Sequence, residues 1–146
     1  MTIQEKNIET LKSMFETCKK GDYEALLNYV SDDCDWWSPV TNTVSDTIPW
    51  STPRHGRGEV SSFFKEAFAK VKPIDIKPAH YTAQNDYVIV EGSSRGMAKA
   101  TGCEFSINWV MVCTLWNGKI KRYRNYFDTA DLSKALLGSC EVRKAA

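Results

Sequence analysis

The sequence predicts an α+β domain in which helices come first and consecutive antiparallel strands follow, folded into one curved sheet with the helices on its concave side. Three observations carry this. Apolar residues near the N-terminus recur at spacings of three and four, as one stripe of a helix does. From about residue 74 onward the chain runs as short strand-like segments separated by turn residues. Asn117-Gly118 then marks a tight two-residue hairpin between the last two of them. Helices followed by a run of strands define the α+β arrangement.

The elements follow in order. Thr2 with Glu5 forms a capping box, and Ile8, Leu11, Met14, Phe15 and Cys18 make one apolar stripe on a helix of about 18 residues. Lys19, Lys20 and Gly21 stop it. Asp22 caps a short second helix carrying Tyr23, Leu26, Leu27 and Val30, and Ser31-Asp32-Asp33 breaks it. Residues 34–38 are strand-like. Residues 39–55 form a long connection with Pro39, Pro49, Pro53 and Trp50, the kind of loop that serves as a lid or binding loop. A third helix over 59–71 places Val60, Phe63, Phe64, Ala67, Phe68 and Val71 on one face, and Lys72-Pro73 ends it. Strands are predicted over 74–83, 87–97, 103–116 and 119–128, and a short helix over 130–137 stops at Gly138.

Composition narrows the class. The 146 residues form a single domain, 1–146, with 42% apolar and 25% charged residues, which excludes wholesale disorder. The net charge of +1 gives no electrostatic reason for binding nucleic acid or a membrane surface. No apolar run reaches the length of about 18 that a membrane span needs. The N-terminus lacks the basic-then-apolar order of a secretory signal. Five cysteines form an odd set without a CxxC spacing, and His55 and His80 stand far apart, so no metal site is expected. The thiols read as free and mostly buried, in a reducing cytoplasm.

Four segments then carry a resemblance. Tyr29-Val30-Ser31-Asp32-Asp33 follows the Gly21-Asp22 junction. His55-Gly56-Arg57-Gly58-Glu59-Val60 leads into the third helix. Asn117-Gly118-Lys119-Ile120 and Tyr123-Arg124-Asn125-Tyr126-Phe127-Asp128 close the sheet. Together they resemble the nuclear-transport-factor-2-like superfamily, in its SnoaL-like and limonene-epoxide-hydrolase-like branch, over nearly the whole chain. The resemblance implies a cone-shaped sheet around three helices (a cystatin-like α+β barrel). It also implies an apolar pocket open at one end, no cofactor, and a homodimer through the outer sheet face.

Members of that superfamily act through ionisable groups held in a greasy cavity. The epoxide hydrolases use Asp-Arg-Asp with a Tyr and an Asn. Aligned without gaps from Val88 to Ile120, those positions fall on Ser94, Gly92 and Asn125, with Trp36 and Ser38 for the Tyr and Asn. No ionisable member remains, and an amide or hydroxyl cannot deprotonate water near neutral pH. The ketosteroid-isomerase-like positions fall near Ser38, Met14 or Phe15, and Val112, again without a base. For the Asp and His of SnoaL-like cyclases the candidates are His55, Asp35 and Asp128, with His80 behind them. Each also has a plainer reading: a solvated loop histidine, a strand residue facing away from Trp36, a helix-capping carboxylate, a structural strand histidine.

Alternation along the strands defines a lining. With Asn125 inward, Tyr123 and Phe127 are inward too. On the third strand Phe105, Ile107, Trp109, Met111, Cys113 and Leu115 form the larger, wholly apolar face, leaving the mixed face to an interface. On the second, Val88, Val90, Gly92, Ser94 and Gly96 face in, and the small residues leave room for a ligand. The predicted lining is Phe15, Cys18, Trp36, Ser38, Phe64, Ala67, Val71, Gly92, Ser94, Ile107, Trp109, Tyr123, Asn125 and Phe127. Arg54, His55 and Arg57 offer a basic cluster for an anion. The expected role is cofactor-free binding of a small, largely hydrophobic molecule. A cofactor-free acid–base enzyme and a protein-association module stand as alternatives.

Overall fold

The computed structural model describes residues 1–140. Helix α1 (Ile3–Lys19) is capped by Thr2, whose hydroxyl accepts the Glu5 amide at 3.1 Å. Its stripe buries Leu11, Met14 and Phe15. Gly21 takes φ +74°, and Asp22 caps α2 (Tyr23–Leu26) by accepting the Ala25 amide at 3.0 Å.

Strand β1 (Val30–Trp37) begins where the sequence reading placed the end of a helix and an acidic break. Alternation sends Val30, Cys34 and Trp36 inward, and at the register irregularity between Val30 and Asp35 the strand departs from it, so that Asp32 stays outside with Asp33 and Asp35. There the carboxylates find cations: Arg57 on Asp32 at 3.1 Å, Lys121 on Asp33 at 3.3 Å and Arg124 on Asp35 at 3.0 Å. An acidic triplet is therefore compatible with a strand whose outer face is rich in Arg and Lys.

After the loop, the two-residue β2 (Arg54–His55) leads into α3 (Gly56–Lys70), one turn earlier than predicted, with Gly56 at φ +83°. The helix ends before Lys72-Pro73, and Val71 already belongs to β3 (Val71–Gln84). The proline is tolerated because β3 is an edge strand. Pro73, Pro78 and the lysines beside them blunt that long edge, and the pairing with β4 shifts register at both prolines.

Strands β4 (Tyr87–Ala98), β5 (Glu104–Trp116) and β6 (Lys119–Phe127) complete one sheet of order β2-β1-β6-β5-β4-β3. Asn117 (φ 50°) and Gly118 (φ 73°) make the predicted hairpin, which needs positive φ at both positions. The β1–β6 pairing is parallel, which corrects the all-antiparallel expectation. A loop, a helix and four strands (β2, β3, β4 and β5) separate the two, so no hairpin dictates their direction. The sheet is curved and remains unclosed, six strands with free edges rather than a barrel.

Strand β6 stops at Phe127, opposite Trp109, so β5 runs on beyond its partner. Helix α4 (Ala130–Leu137) folds back over that stretch: Asp131 accepts the Ser106 amide at 2.8 Å, and Leu132 and Ala135 are buried. Beyond it, Cys140 is joined to Cys103 in a disulfide. This overturns the reading of five free thiols, and with it the argument for a reducing compartment. The two cysteines lie 37 residues apart and meet only because α4 returns to the start of β5, which no spacing rule reports. Cys18, Cys34 and Cys113 are free. Among the described residues no helix is long and apolar enough to cross a membrane.

Candidate functional site

The concave wall is built by alternation. From β6 come Tyr123, Asn125 and Phe127, from β1 Trp36, and from β5 Ile107, Trp109 and Met111. Phe15 of α1 and Phe64 of α3 press against them. Trp36 stands beside Tyr123 in the parallel register, and their rings stack at 3.6 Å and 5°. Phe63 and Phe64 flank the indole at 5.5 and 5.4 Å. A second stack joins Phe15 to Trp109 at 5.6 Å, with Tyr81 edge-on to Phe15 at 6.5 Å. Of these partners Phe63 and Tyr81 were absent from the predicted lining. Phe63 was visible on the α3 apolar face, but Tyr81 on an edge strand carried no such signal.

The glycine stripe of β4 has a different use from the one predicted. Gly92 pairs with Trp109 and Gly96 with Phe105. A Cβ on Gly92 would stand 2.5 Å from the Trp109 ring and 2.7 Å from the Lys77 carbonyl oxygen. A Cβ on Gly96 would stand 2.5 Å from the Phe105 ring. The volume those glycines leave is therefore filled by aromatic rings from the next strand. Ser94 is engaged as well, its hydroxyl accepting the Trp109 indole N–H at 2.8 Å.

Two polar atoms of the wall are not engaged. The indole Nε1 of Trp36 and the amide Oδ1 of Asn125 are buried without a hydrogen-bond partner. The other buried or half-buried indoles of the sheet differ: Trp37 donates to the Ser51 carbonyl at 2.9 Å, and Trp109 donates to Ser94. Buried polar groups are nearly always paired, so such an exception calls for an explanation.

The wall is also uncharged near neutrality. Burial pushes the Tyr123 phenol well above its ordinary value, against a smaller opposite pull from the Asn125 amide beside it. Burial lifts the Cys18 thiol to about 11 and the Cys34 thiol to about 12, and raises Cys113 too. Each of these acids gives up its proton more easily in the unfolded chain, where thiols titrate at about 8.5 and phenols at about 10. Their contribution to stability is thus complete below about pH 8.5 and is lost as pH rises through the folded values. Urea midpoints measured from pH 7 to 11 are expected to fall above about pH 9, less steeply in Cys113→Ala. An unchanged midpoint up to pH 11 would contradict the burial of these groups.

The acid–base candidates lie elsewhere. Asp35 and His55 are register partners on β1 and β2, brought together on the outward side, where both are exposed and Asp35 is bound by Arg124. Asp128 is exposed and accepts the Ala130 amide at 3.0 Å at the start of α4. His80 is exposed on β3. The basic cluster is committed within the chain. Arg54 is buried against Glu66 at 2.5 Å, and Arg57 donates to the Val30 carbonyl at 2.8 Å while pairing with Asp32. Of the remaining lining residues, Ser38 and Phe64 are buried, and Cys18, Ala67, Ile107, Asn125 and Phe127 are half-buried. Val71 belongs to β3 rather than to α3.

The long loop is packed. Ile48 and Trp50 join the core, Val40 donates its amide to the Asn125 carbonyl at 2.9 Å, and Thr47 meets Ser133 of α4 at 3.1 Å. Loop and α4 together cover the side of the wall that β6 leaves short. A separate cleft of about 620 Å³ between α1 and β3, lined by Lys12, Tyr29, Pro78 and Tyr81, reaches Phe15. Among the described residues no three His, Cys, Asp or Glu side chains gather as a metal site.

The model of the SnoaL-like domain matches residues 11–123. No curated protein is similar enough to match. Among solved structures, a nuclear-transport-factor-2-like protein of Burkholderia xenovorans LB400 is 26% identical, covers 90% of this chain and 96% of its own, and has a TM-score of 0.75. One of unknown function from Burkholderia pseudomallei K96243 is 20% identical, with 93% and 98% covered and a TM-score of 0.81. TerC, co-crystallised with polyporic acid, is 19% identical, with 90% and 98% covered and a TM-score of 0.78. The last two likenesses concern the fold alone. With most of its length matched by that family and its sheet and helices arranged as in these structures, the chain belongs to the SnoaL-like domain family, which includes polyketide cyclases and isomerases.

Proposed function

We propose that the protein binds a small, largely hydrophobic molecule against the concave face of its sheet, without a cofactor and without fast chemistry. The observation that carries this is the character of the wall: stacked aromatic rings, no group that changes charge near neutral pH, and hydrogen-bonding capacity left over at Trp36 and Asn125. Such a surface holds and orients a ligand. Acid–base catalysis would need a proton carrier there, and Asp35, His55 and Asp128 stand on the outside. That TerC, of the same fold, was co-crystallised with polyporic acid supports a ligand-holding use of this architecture.

The partner in this reading is a second copy of the chain. Tyr87, Ile89 and Tyr126 are exposed on the outer face of β4–β6, around half-buried Val110 and Val112. Cross-strand register places them side by side, as Ile89 beside Val112 and Val110 beside Tyr126. A contiguous apolar patch rimmed by Arg122 and Glu91 suits a self-complementary interface.

Native mass spectrometry of freshly purified protein tests both statements. The expected spectrum is a dimer carrying a small-molecule adduct that organic solvent removes. A ligand-free spectrum, together with no thermal shift across a panel of neutral aromatic compounds, would overturn the binding role. A monomer at micromolar concentration would overturn the dimer.

A further inference from the structure

We infer that helix α4 is a redox-operated cover: a small thiol that reduces the Cys103–Cys140 disulfide frees the helix, and re-oxidation closes it again over the stretch of β5 that β6 leaves unpaired. This concerns access to that end of the sheet and holds whether or not a ligand sits on the concave face. Reach is the first support. The bond lies along an open cleft of about 950 Å³, lined by both cysteines together with Arg95, Glu104, Asp131 and Lys134. Cys103 is 4% exposed and Cys140 is half-buried, so an incoming thiolate meets Cys140 first. Arg95 and Lys134 attract that anion, and the Asp131 carboxylate is taken up by the Ser106 amide.

Position is the second support. Strand β6 ends opposite Trp109, and α4 takes its place beside β5, where Asp131 accepts the Ser106 amide. Asp128 and Thr129 alone join the helix to β6, and the disulfide closes its far end. With the bond open, the helix pivots at Asp128-Thr129 and the β5 edge loses its cover. Selectivity is the third. Cys18, Cys34 and Cys113 are free, and burial raises all three above the ordinary thiol range, which keeps them protonated near neutrality. Exchange requires a thiolate, so the chemistry is confined to the one reachable pair. The first thiolate bonds to Cys140 Sγ and breaks the Cys103–Cys140 bond, whose electron pair leaves on Cys103 and takes a proton. A second thiolate attacks the small thiol's own sulfur in that mixed disulfide. It releases the oxidised small disulfide and the Cys140 thiolate, which is protonated in turn. Two electrons and two protons pass from two thiols to the protein, and the small disulfide reverses the same steps.

Limited trypsin digestion read by mass spectrometry tests this, because Lys134 is the one trypsin site within α4. The protein is held without denaturant in reduced or in oxidised glutathione. Cleavage after Lys134 is expected to run about tenfold faster or more in the reduced protein, and to slow again once oxidised glutathione restores the bond. Binding of the apolar dye 1-anilinonaphthalene-8-sulfonate should rise and fall with it. Cys140→Ser should behave as the reduced protein in both buffers. A disulfide that glutathione opens only in denaturant would overturn the switch. So would cleavage after Lys134 at the same rate in both buffers, or equal acceleration after Arg122 on β6, which would mean that the whole domain loosens. Faster cleavage with unchanged dye binding would overturn the role of α4 as a cover. Should Cys140→Ser not fold, the wild-type comparison in the two buffers still decides.

Discussion

Replacing Cys140 with Ser is expected to lower the thermal midpoint by about 5–15 °C. The link joins residues 37 apart. By the chain-entropy account a closed loop of that length is worth about 4 kcal/mol, and disulfides in practice deliver about 2–4. Each kcal/mol moves the midpoint of a domain this size by about 2–4 °C. The loss should be concentrated at α4. Eight residues are too few for a helix to stand alone, and only Leu132 and Ala135 of α4 are fully buried. Its other ties are single hydrogen bonds: Asp131 to the Ser106 amide, Thr101 to the Ala135 carbonyl at 2.7 Å, and the Thr47–Ser133 hydroxyl pair. Hydrogen exchange at the Ser106 amide should therefore quicken in Cys140→Ser, in Cys103→Ser and in dithiol-reduced wild type alike, while the middle of β5 stays protected. Identical midpoints for oxidised and reduced protein would show that packing and these hydrogen bonds hold α4 without help from the disulfide.

How much of this was legible in the sequence depends on the kind of information involved. Periodicity reports which residues share a face. The α1 stripe, the two faces of β5 and the Asn117-Gly118 hairpin were thus readable, because each is a local pattern with a local cause. Alternation also placed Asp35 outward, opposite to Trp36. Periodicity does not report what lies across a strand pair. The reading that Gly92 and Gly96 open space was sound for one strand and incomplete for two, since register sets Trp109 and Phe105 against them. The parallel direction of β1 and the meeting of Cys103 with Cys140 are long-range outcomes of the same sort. The unpartnered Trp36 indole was out of reach for another reason. A tryptophan in sequence always carries an N–H, and only the neighbours decide whether it is satisfied, as Trp37 and Trp109 show by being paired.

The glycine contacts lead to the second large expected effect. Gly92→Val should destabilise the protein by about 3–5 kcal/mol in urea unfolding, more than the 1–3 kcal/mol usual for overpacking. The reason is that the new Cβ meets two obstacles of unequal give. Trp109 can swing away from 2.5 Å, though doing so breaks its hydrogen bond to Ser94 and its stack on Phe15. The Lys77 carbonyl at 2.7 Å is backbone on the neighbouring strand and can yield only by distorting the β3–β4 pairing. Gly92→Ala should already cost more than Gly96→Ala. At Gly96 the close neighbour is the Phe105 ring, and the nearest backbone atom, the Lys72 carbonyl, is 3.2 Å away. Gly58, near the start of α3 with nothing within 4 Å of a Cβ, supplies the opposite sign: Gly58→Ala should stabilise by about 0.5–1 kcal/mol through helix propensity. Combining Gly92→Ala with Trp109→Leu should recover part of the loss, because the smaller side chain removes one collision and leaves the backbone one. A Gly92→Ala midpoint indistinguishable from wild type would mean that the Trp109 ring does not rest on β4, and the account of a filled glycine stripe would fall with it.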